Sequence, residues 1–294
     1  MALQTPRVID EQLVFSLLRP RPADSHKGTF GTLLCLCGSL PYRGAALLAT
    51  EGALRSGAGI VQLASVEPVL AACCVRLPEA TLLPLSPGPD GGPGRENLGR
   101  LADSLSRCRG MLAGCGLTPS ADTAFLVSRL MAQARGTVVL DADALNALAG
   151  EPLPHPAQGG LILTPHPGEM ARLTGRSIGE IQQNRVETAV RFAAEQNCVL
   201  VLKGNGTIIA APDGRLFINH TGNPGLAKGG SGDILAGLIA GLACSGLEAA
   251  EAAVCGVFLH GLAADRCAAR LGQAGMLPHD ILADLGAIFA EKGR

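Results

Sequence analysis

The segment Thr221–Asp233 reads Thr-Gly-Asn-Pro-Gly-Leu-Ala-Lys-Gly-Gly-Ser-Gly-Asp and runs into the apolar helical pattern Ile234, Leu235, Leu238, Ile239 and Leu242. Gly229, Gly230 and Gly232 let the backbone turn tightly and approach a ligand. The first N–H groups of the helix stay unpaired and aligned with its positive dipole end. Such a start attracts phosphate, so the N–H groups of Gly230, Ser231 and Gly232 form a candidate anion hole. Asp233 is the odd member, because a carboxylate beside phosphate costs Coulomb energy unless it handles a proton or a metal. It is a candidate general base. The plainer alternative makes Ser231 or Asp233 an ordinary N-cap. The two roles are compatible, since a cap also holds a base rigidly.

Three further segments carry chemistry. Asp141, Asp143 and Asn146 follow the apolar run Thr137–Leu140, where carboxylates can orient water, magnesium or a ribose hydroxyl; they could equally cap a helix. Thr164–Met170 sets His166 and Glu169 in a turn stiffened by Pro165, Pro167 and Gly168, which presents His166 to a ligand and lets Glu169 open a helix or assist a metal. Lys203–Thr207 joins two apolar runs through Gly204, Asn205 and Gly206, offering a cation, a hydroxyl and close backbone approach to phosphate oxygens. The same residues also fit a simple Asn-Gly hairpin turn. The GxxxxGK[ST] spacing of a phosphate-binding P-loop is absent, and the N-terminal glycines give no dinucleotide fingerprint.

The elements that position these residues follow from hydrophobic patterning. Thr32–Cys37, Gly59–Ala64, Ala80–Leu85, Gly110–Ala113, Thr137–Leu140, Leu161–Leu163 and Val199–Leu202 read as strands buried on both faces. Gly44–Ser56, Ser120–Ala134 and Ile178–Gln196 read as helices between them. This alternation predicts an α/β, three-layer α/β/α fold around a mostly parallel sheet. Thr207–Ala211 and Leu216–Asn219 predict an antiparallel edge, followed by helices near 231–243 and 248–270. In such sheets ligands sit outside the carboxyl ends of the strands. Gly38–Ser39, Gly114–Gly116, Asp141–Asp143, Thr164–His166 and Lys203–Gly206 all fall at those ends. Residues 86–99, dominated by proline and glycine, read as a mobile and inert surface loop.

Composition excludes several classes. A net charge of −1, with seven Phe, one Tyr and no Trp, supplies neither the basic stripe nor the stacking platform of a nucleic-acid binder. The longest apolar candidate, Ile234–Cys244, is too short for about 30 Å of hydrocarbon, so no membrane partner is expected. The first residues lack the plan of a secretory signal, and a cytoplasmic protein is expected. The ten cysteines show no paired CxxC spacing and read as small buried hydrophobes. At 294 residues without a linker-like tract, a single domain over 1–294 is expected.

In this order the motifs resemble the ribokinase-like superfamily, and most closely its NAD(P)H-hydrate dehydratase branch. The resemblance rests on His26–Gly31, Gly38–Ser39 with Tyr42–Ala46, Arg55–Gly59, Leu140–Asn146, Leu163–Glu169, Lys203–Thr207, Gly222–Gly225 and Gly229–Asp233. It implies ADP-dependent repair of the S-epimer of hydrated NADH or NADPH, releasing AMP and phosphate, with Mg2+ and with ADP (or ATP) as cosubstrate. Asp233 would take the proton of the ring hydroxyl as that oxygen attacks the terminal phosphate. Ala45, Gly116, His166 and Asp233 would contact the hydrated dinucleotide, and Lys203, Gly204, Asn205, Gly206, Thr207 and Gly232 the nucleotide. The family's Gly-Pro-Gly-Leu-Gly is Gly114-Cys115-Gly116-Leu117-Thr118 here, which weakens the transfer for Gly116. Only about 25 residues precede His26, too few for a fused epimerase domain, so a separate epimerase is the expected metabolic partner. The resemblance further implies a homo-oligomer, a tetramer in preference.

Two rivals stand beside this reading. A small-molecule kinase of the same fold, acting on a hydroxyethylthiazole or pyridoxine-type alcohol, would share the glycine loop and Asp233. A nucleotide sensor would bind without turnover, but gains nothing from a carboxylate beside phosphate.

Overall fold

The computed structural model describes residues 5 to 294. Its strands are β1 (Arg7–Val8), β2 (Thr32–Leu36), β3 (Ile60–Val66), β4 (Thr81–Leu85), β5 (Gly110–Ala113), β6 (Thr137–Leu140), β7 (Leu161–Leu163), β8 (Val199–Leu202), β9 (Thr207–Ala210) and β10 (Leu216–Asn219). They form one sheet in the order β1-β10-β9-β8-β7-β6-β5-β2-β3-β4. Every neighbouring pair is parallel except those of β9, which runs antiparallel to both β8 and β10. The antiparallel region is thus a single strand near one edge. Pro84 sits on the outermost strand at the other edge, the place in a sheet that tolerates proline.

Alternate residues of each strand enter different cores, which is why the strands read as continuous apolar runs. Leu33 and Cys35 of β2 pack on one face, Leu34 and Leu36 on the other. The first face is covered by α1 (Glu11–Leu17), α2 (Arg43–Arg55), α3 (Glu67–Cys74) and three C-terminal helices. The second is covered by α4 (Leu98–Leu105), α5 (Ala121–Met131), α6 (Asp143–Leu148), α7 (Pro167–Thr174), α8 (Ile178–Gln183) and α9 (Arg185–Glu195). The C-terminal three are α10 (Ser231–Cys244), α11 (Ala249–Leu271) and α12 (Ile281–Glu291). The expected α/β/α layering holds.

Three local expectations are corrected. Ile178–Gln196 is two helices, because Asn184 leaves helical geometry at φ −128° and ψ 41°. The C-terminal helices number three, α12 being the addition. The tract 86–99 is pinned, not mobile: buried Asn97 donates to the carbonyls of Ser86 (2.8 Å) and Gly94 (2.7 Å) and accepts from Ser86 N–H (2.9 Å). Gly91 C=O accepts from Leu40 N–H at 2.9 Å. The expected fate of the cysteines holds, with only Cys74 exposed and Cys108 half-buried. By length and composition α11 could cross a bilayer, yet 72% of its apolar window is packed inside the fold.

The helix that carries the glycine-rich loop is set by its contact with α2. A Cβ on Gly52 would lie 2.7 Å from Ile234 O, one on Gly237 2.1 Å from Ala49 O, and one on Gly241 2.6 Å from Ala53 O. The two backbones therefore touch, and α10 is buried from Ile234 to Cys244. In an exposed helix Gly→Ala gains about 0.5–1 kcal/mol. At Gly237 that gain is overridden by backbone overlap, and Gly237→Ala is expected to destabilise by about 1–3 kcal/mol. Gly286 in α12 has no atom within 4 Å of a built Cβ, so Gly286→Ala is expected to stabilise. Urea unfolding of both variants checks the pair; equal or greater stability of Gly237→Ala would show that the α2–α10 contact can open.

Candidate active site

Strands β8, β7, β6, β5 and β2 are consecutive in the sheet, so the polar residues at their carboxyl ends fall side by side. The end of β6 supplies Asp141, buried at 2% exposure. Its Oδ1 accepts from Lys203 Nζ at 2.7 Å, from the end of β8, and from Thr164 Oγ1 at 2.7 Å, from the end of β7. Lys203 Nζ also lies 3.7 Å from Glu169 Oε2. Burial opposes the lysine's charge, but the two carboxylates more than compensate and raise its pKa. Burial raises the pKa of Glu169, partly offset by Lys203. This ion cluster ties three strand ends into one floor.

Helix α10 begins over that floor. A Cβ on Gly232 would lie 3.4 Å from Lys203 Nζ and 3.8 Å from Asp141 Oδ2, so the absent side chain leaves room at the helix start. Gly230 adopts φ +102°, a conformation that suits glycine and turns the loop into the helix. Asp233, in the first turn, comes within 4.8 Å of both a carboxylate oxygen of Asp141 and Cys115 Sγ. Burial first, and then the charge of Asp141, push its pKa up to about 7; Cys115 and Lys203 offset part of this. Asp233 is therefore a carboxylate poised to hold a proton near neutrality, as a general base requires. Gly230, not Ser231 or Asp233, is the N-cap residue, and it makes no side-chain capping bond.

A cleft of about 740 Å³ opens onto this floor. It brings together Asp233, His166, the loop Lys203, Gly204, Asn205, Gly206, Thr207, and the candidate anion-hole residues Gly230, Ser231, Gly232. Ala45 and Gly116 lie outside that lining but meet each other: a Cβ on Gly116 would be 2.7 Å from the Cβ of Ala45. Cys115, between Gly116 and the Asp233 carboxylate, links the two groups. His166 has a double role. Its Nδ1 accepts from Gly168 N–H (2.9 Å) and Glu169 N–H (3.4 Å), capping α7, while Nε2 sits 3.3 Å from Glu169 Oε1. Burial and the nearby Lys203 lower its pKa. Glu169 completes the cap by accepting from His166 N–H at 2.8 Å.

The altered loop after β5 has three residues at positive φ. Gly114 and Gly116 have φ +126° and +66°, and Thr118 holds φ +68° although it is not glycine. Its N–H donates to Asp143 Oδ2 at 2.9 Å, which supports the conformation. Asp143 thus serves the loop, and Asn146 is engaged by Arg172 at 2.9 Å, so of the Asp141–Asn146 group only Asp141 reaches the floor.

Sequence reasoning missed His260. This residue of α11 lines the cleft, with Nε2 buried and unpartnered; burial pushes its pKa down to about 4. Ser231 Oγ is likewise buried without a partner. His260 lies inside an apolar helical pattern, and only its polarity among small apolar neighbours signals it. Asp265, also on α11, accepts from Gly222 N–H and Asn223 Nδ2, both at 2.9 Å, and so anchors the loop that approaches α10.

Comparison with known proteins places this geometry. The chain matches the NAD(P)H-hydrate dehydratase family model over residues 33–286. It is 43% identical over 268 residues to the bifunctional NAD(P)H-hydrate repair enzyme Nnr of Moorella thermoacetica, covering 91% of this chain and 51% of that protein. The chain therefore spans about half the length of such bifunctional relatives. It is 38% identical to the ADP-dependent (S)-NAD(P)H-hydrate dehydratase of Xanthomonas campestris pv. campestris, covering 97% of each. The crystal structure of the ADP/ATP-dependent NAD(P)H-hydrate dehydratase from Bacillus subtilis, co-crystallised with ATP and Mg2+, superposes with a TM-score of 0.87 at 38% identity, covering 98% of this chain and 99% of that one. The fold is ribokinase-like, and the chain belongs to the NAD(P)H-hydrate dehydratase family.

Proposed function

We propose that this chain dehydrates the S-epimer of hydrated NADH or NADPH at the expense of ADP, releasing AMP and phosphate. The observation that carries the reading is Asp233, a carboxylate pushed up to about 7 by burial and by Asp141, at the start of the helix that roofs the cleft. Asp233 takes the proton of the ring hydroxyl, whose oxygen attacks the terminal phosphorus of ADP as AMP departs. The N–H groups of Gly230, Ser231 and Gly232 face the charge that gathers on the transferred group. The phosphorylated oxygen then leaves the ring as phosphate, a far better leaving group than hydroxide.

The floor fits a hard cation in part. Asp141 and Asp233 offer carboxylate oxygens, whereas the Cys115 thiol, held protonated by its bond to Cys37 and by burial, is a poor magnesium ligand. Mg2+ would be met by the two carboxylates, largely through water, and when bound it neutralises phosphate charge. Ala45, Gly116 and His166 are assigned to the hydrated dinucleotide, and Lys203, Gly204, Asn205, Gly206, Thr207 and Gly232 to the nucleotide. The same reading assigns 1–294 to one domain and makes the protein a cytoplasmic homo-oligomer, tetrameric in preference, supplied with substrate by a separate epimerase. The ADP-dependent names of full-length relatives support ADP over ATP as cosubstrate.

The direct test incubates the protein with ADP, Mg2+ and chemically hydrated NADH and follows recovery of the reduced-nicotinamide absorbance together with phosphate. Recovery is expected; a stable phosphorylated organic product without recovery would instead establish a kinase.

Asp233→Asn is expected to lower kcat by about 10²–10⁴-fold while ADP affinity stays equal or rises. In the unsubstituted protein kcat/KM should climb with pH through about 7, as the carboxylate ionises. The folded-state pKa is raised, so the folded protein holds this proton more tightly than the unfolded chain does. Stability should therefore fall as pH rises from about 4 to about 7, and Asp233→Asn should lack that fall. A variant retaining most of its activity with an unchanged pH profile would reduce Asp233 to a helix-start residue.

Gly232→Val places a branched side chain over Lys203 Nζ and Asp141 Oδ2 without meeting backbone. Calorimetry should show ADP affinity reduced by about tenfold or more, with thermal unfolding little changed. Normal ADP binding by this variant would move the phosphates away from the α10 start.

A further inference from the structure

Arg185 breaks two local rules at once. It is the first residue of α9, where the positive end of the helix dipole disfavours a cation. It is also half-buried, and burial lowers its pKa with no acidic group offsetting the cost. Its guanidinium instead donates to three main-chain carbonyls at the end of β8 and in the loop beyond. Nη2 reaches Leu202 O at 3.1 Å and Gly206 O at 3.1 Å, and Nη1 reaches Lys203 O at 3.3 Å. Gln182 Oε1 accepts a fourth bond from Nη1 at 3.2 Å.

The backbone around it is shaped to this contact. Gly204 sits at φ +145°, and a Cβ there would lie 2.7 Å from Arg185 Nη1, so the loop wraps the guanidinium as closely as a residue without a side chain permits. The departure of Asn184 from helical geometry ends α8 and lets α9 begin at Arg185. On the cleft side of the same loop, the Lys203 ammonium is already committed to Asp141 and Glu169. Arg185 is therefore a cation beside this loop whose charge no carboxylate cancels.

We propose that Arg185 is a positioning residue of the nucleotide site: its planar fork fixes the Lys203–Thr207 loop from behind through three carbonyls, and its uncancelled charge favours an anionic nucleotide in front. Local rules are broken where function compensates. A lysine cannot replace it, because one ammonium has no flat fork to span three carbonyls. This inference rests on the reading of the loop as the nucleotide-binding half of the cleft.

The test compares the unsubstituted protein with Arg185→Lys and Arg185→Met by calorimetry with ADP and, separately, with chemically hydrated NADH, alongside thermal unfolding and steady-state kinetics. Arg185→Lys, which keeps charge without the fork, should weaken ADP binding by about tenfold, and Arg185→Met, which removes both, by about a hundredfold. Affinity for hydrated NADH should change by less than about twofold, and kcat at saturating ADP should hold, so that the loss appears in KM for ADP. Unchanged ADP affinity in both folded variants would overturn the inference alone. Equal weakening for both ligands, tracking a drop in unfolding temperature, would overturn it in favour of a purely structural role. Failure of the unsubstituted protein to bind ADP would overturn the nucleotide reading itself, and this inference with it.

Discussion

Two carboxylates, buried Asp141 and half-buried Asp233, lie close together under one helix start, and a single lysine pairs directly only with the first. The rest of the site follows from that inequality. Asp141 is held by Lys203 and Thr164 and behaves as part of the scaffold. Asp233 is left with burial and a negative neighbour, which together keep its proton affinity near neutrality. The floor thus depends on where Lys203 points.

Much of the architecture was legible because strands buried on both faces leave an unbroken apolar trace, and polar residues stand out at their ends. Asp141, Thr164 and Lys203 could be assigned to one rim before their contacts were known, since parallel strands place all their carboxyl ends together. What could not be read arises from contacts distant in sequence. Nothing local in Ile178–Gln196 predicts a break at Asn184; its meaning lies in carbonyls around Lys203 that Arg185 reaches. The tract 86–99 carries turn residues throughout, yet Asn97 folds it onto itself. His260 was hidden by its own surroundings, a polar residue in an apolar helix that faces the cleft.

Residue identity and backbone shape separate at the loop Gly114–Thr118. The resemblance to the family raised doubt there because a proline and a glycine are replaced. Thr118 nonetheless holds the left-handed conformation, supported by Asp143, and Cys115 brings a thiol up to Asp233. The fold tolerates the exchange because the loop is fixed by its hydrogen bonds and by the close approach of Gly114 to the backbone of Asp141. Where the family has a proline, this chain sets a polarisable S–H group beside Asp233.

The backbone contact between α2 and α10 also bears on how the chain is made. Gly52 of α2 is shaped to receive Ile234, and α10 is translated long after α2 has left the ribosome. Until then the first-face core lacks its central helix, and an apolar surface with no partner is open to chaperones and to neighbouring nascent chains. The strands that carry Asp141 and Thr164 can pair during this interval, but the helix start that completes the cleft is made only after all the strands of the sheet. A chain ending before α10 would lack both the central helix of the first-face core and the helix start of the cleft.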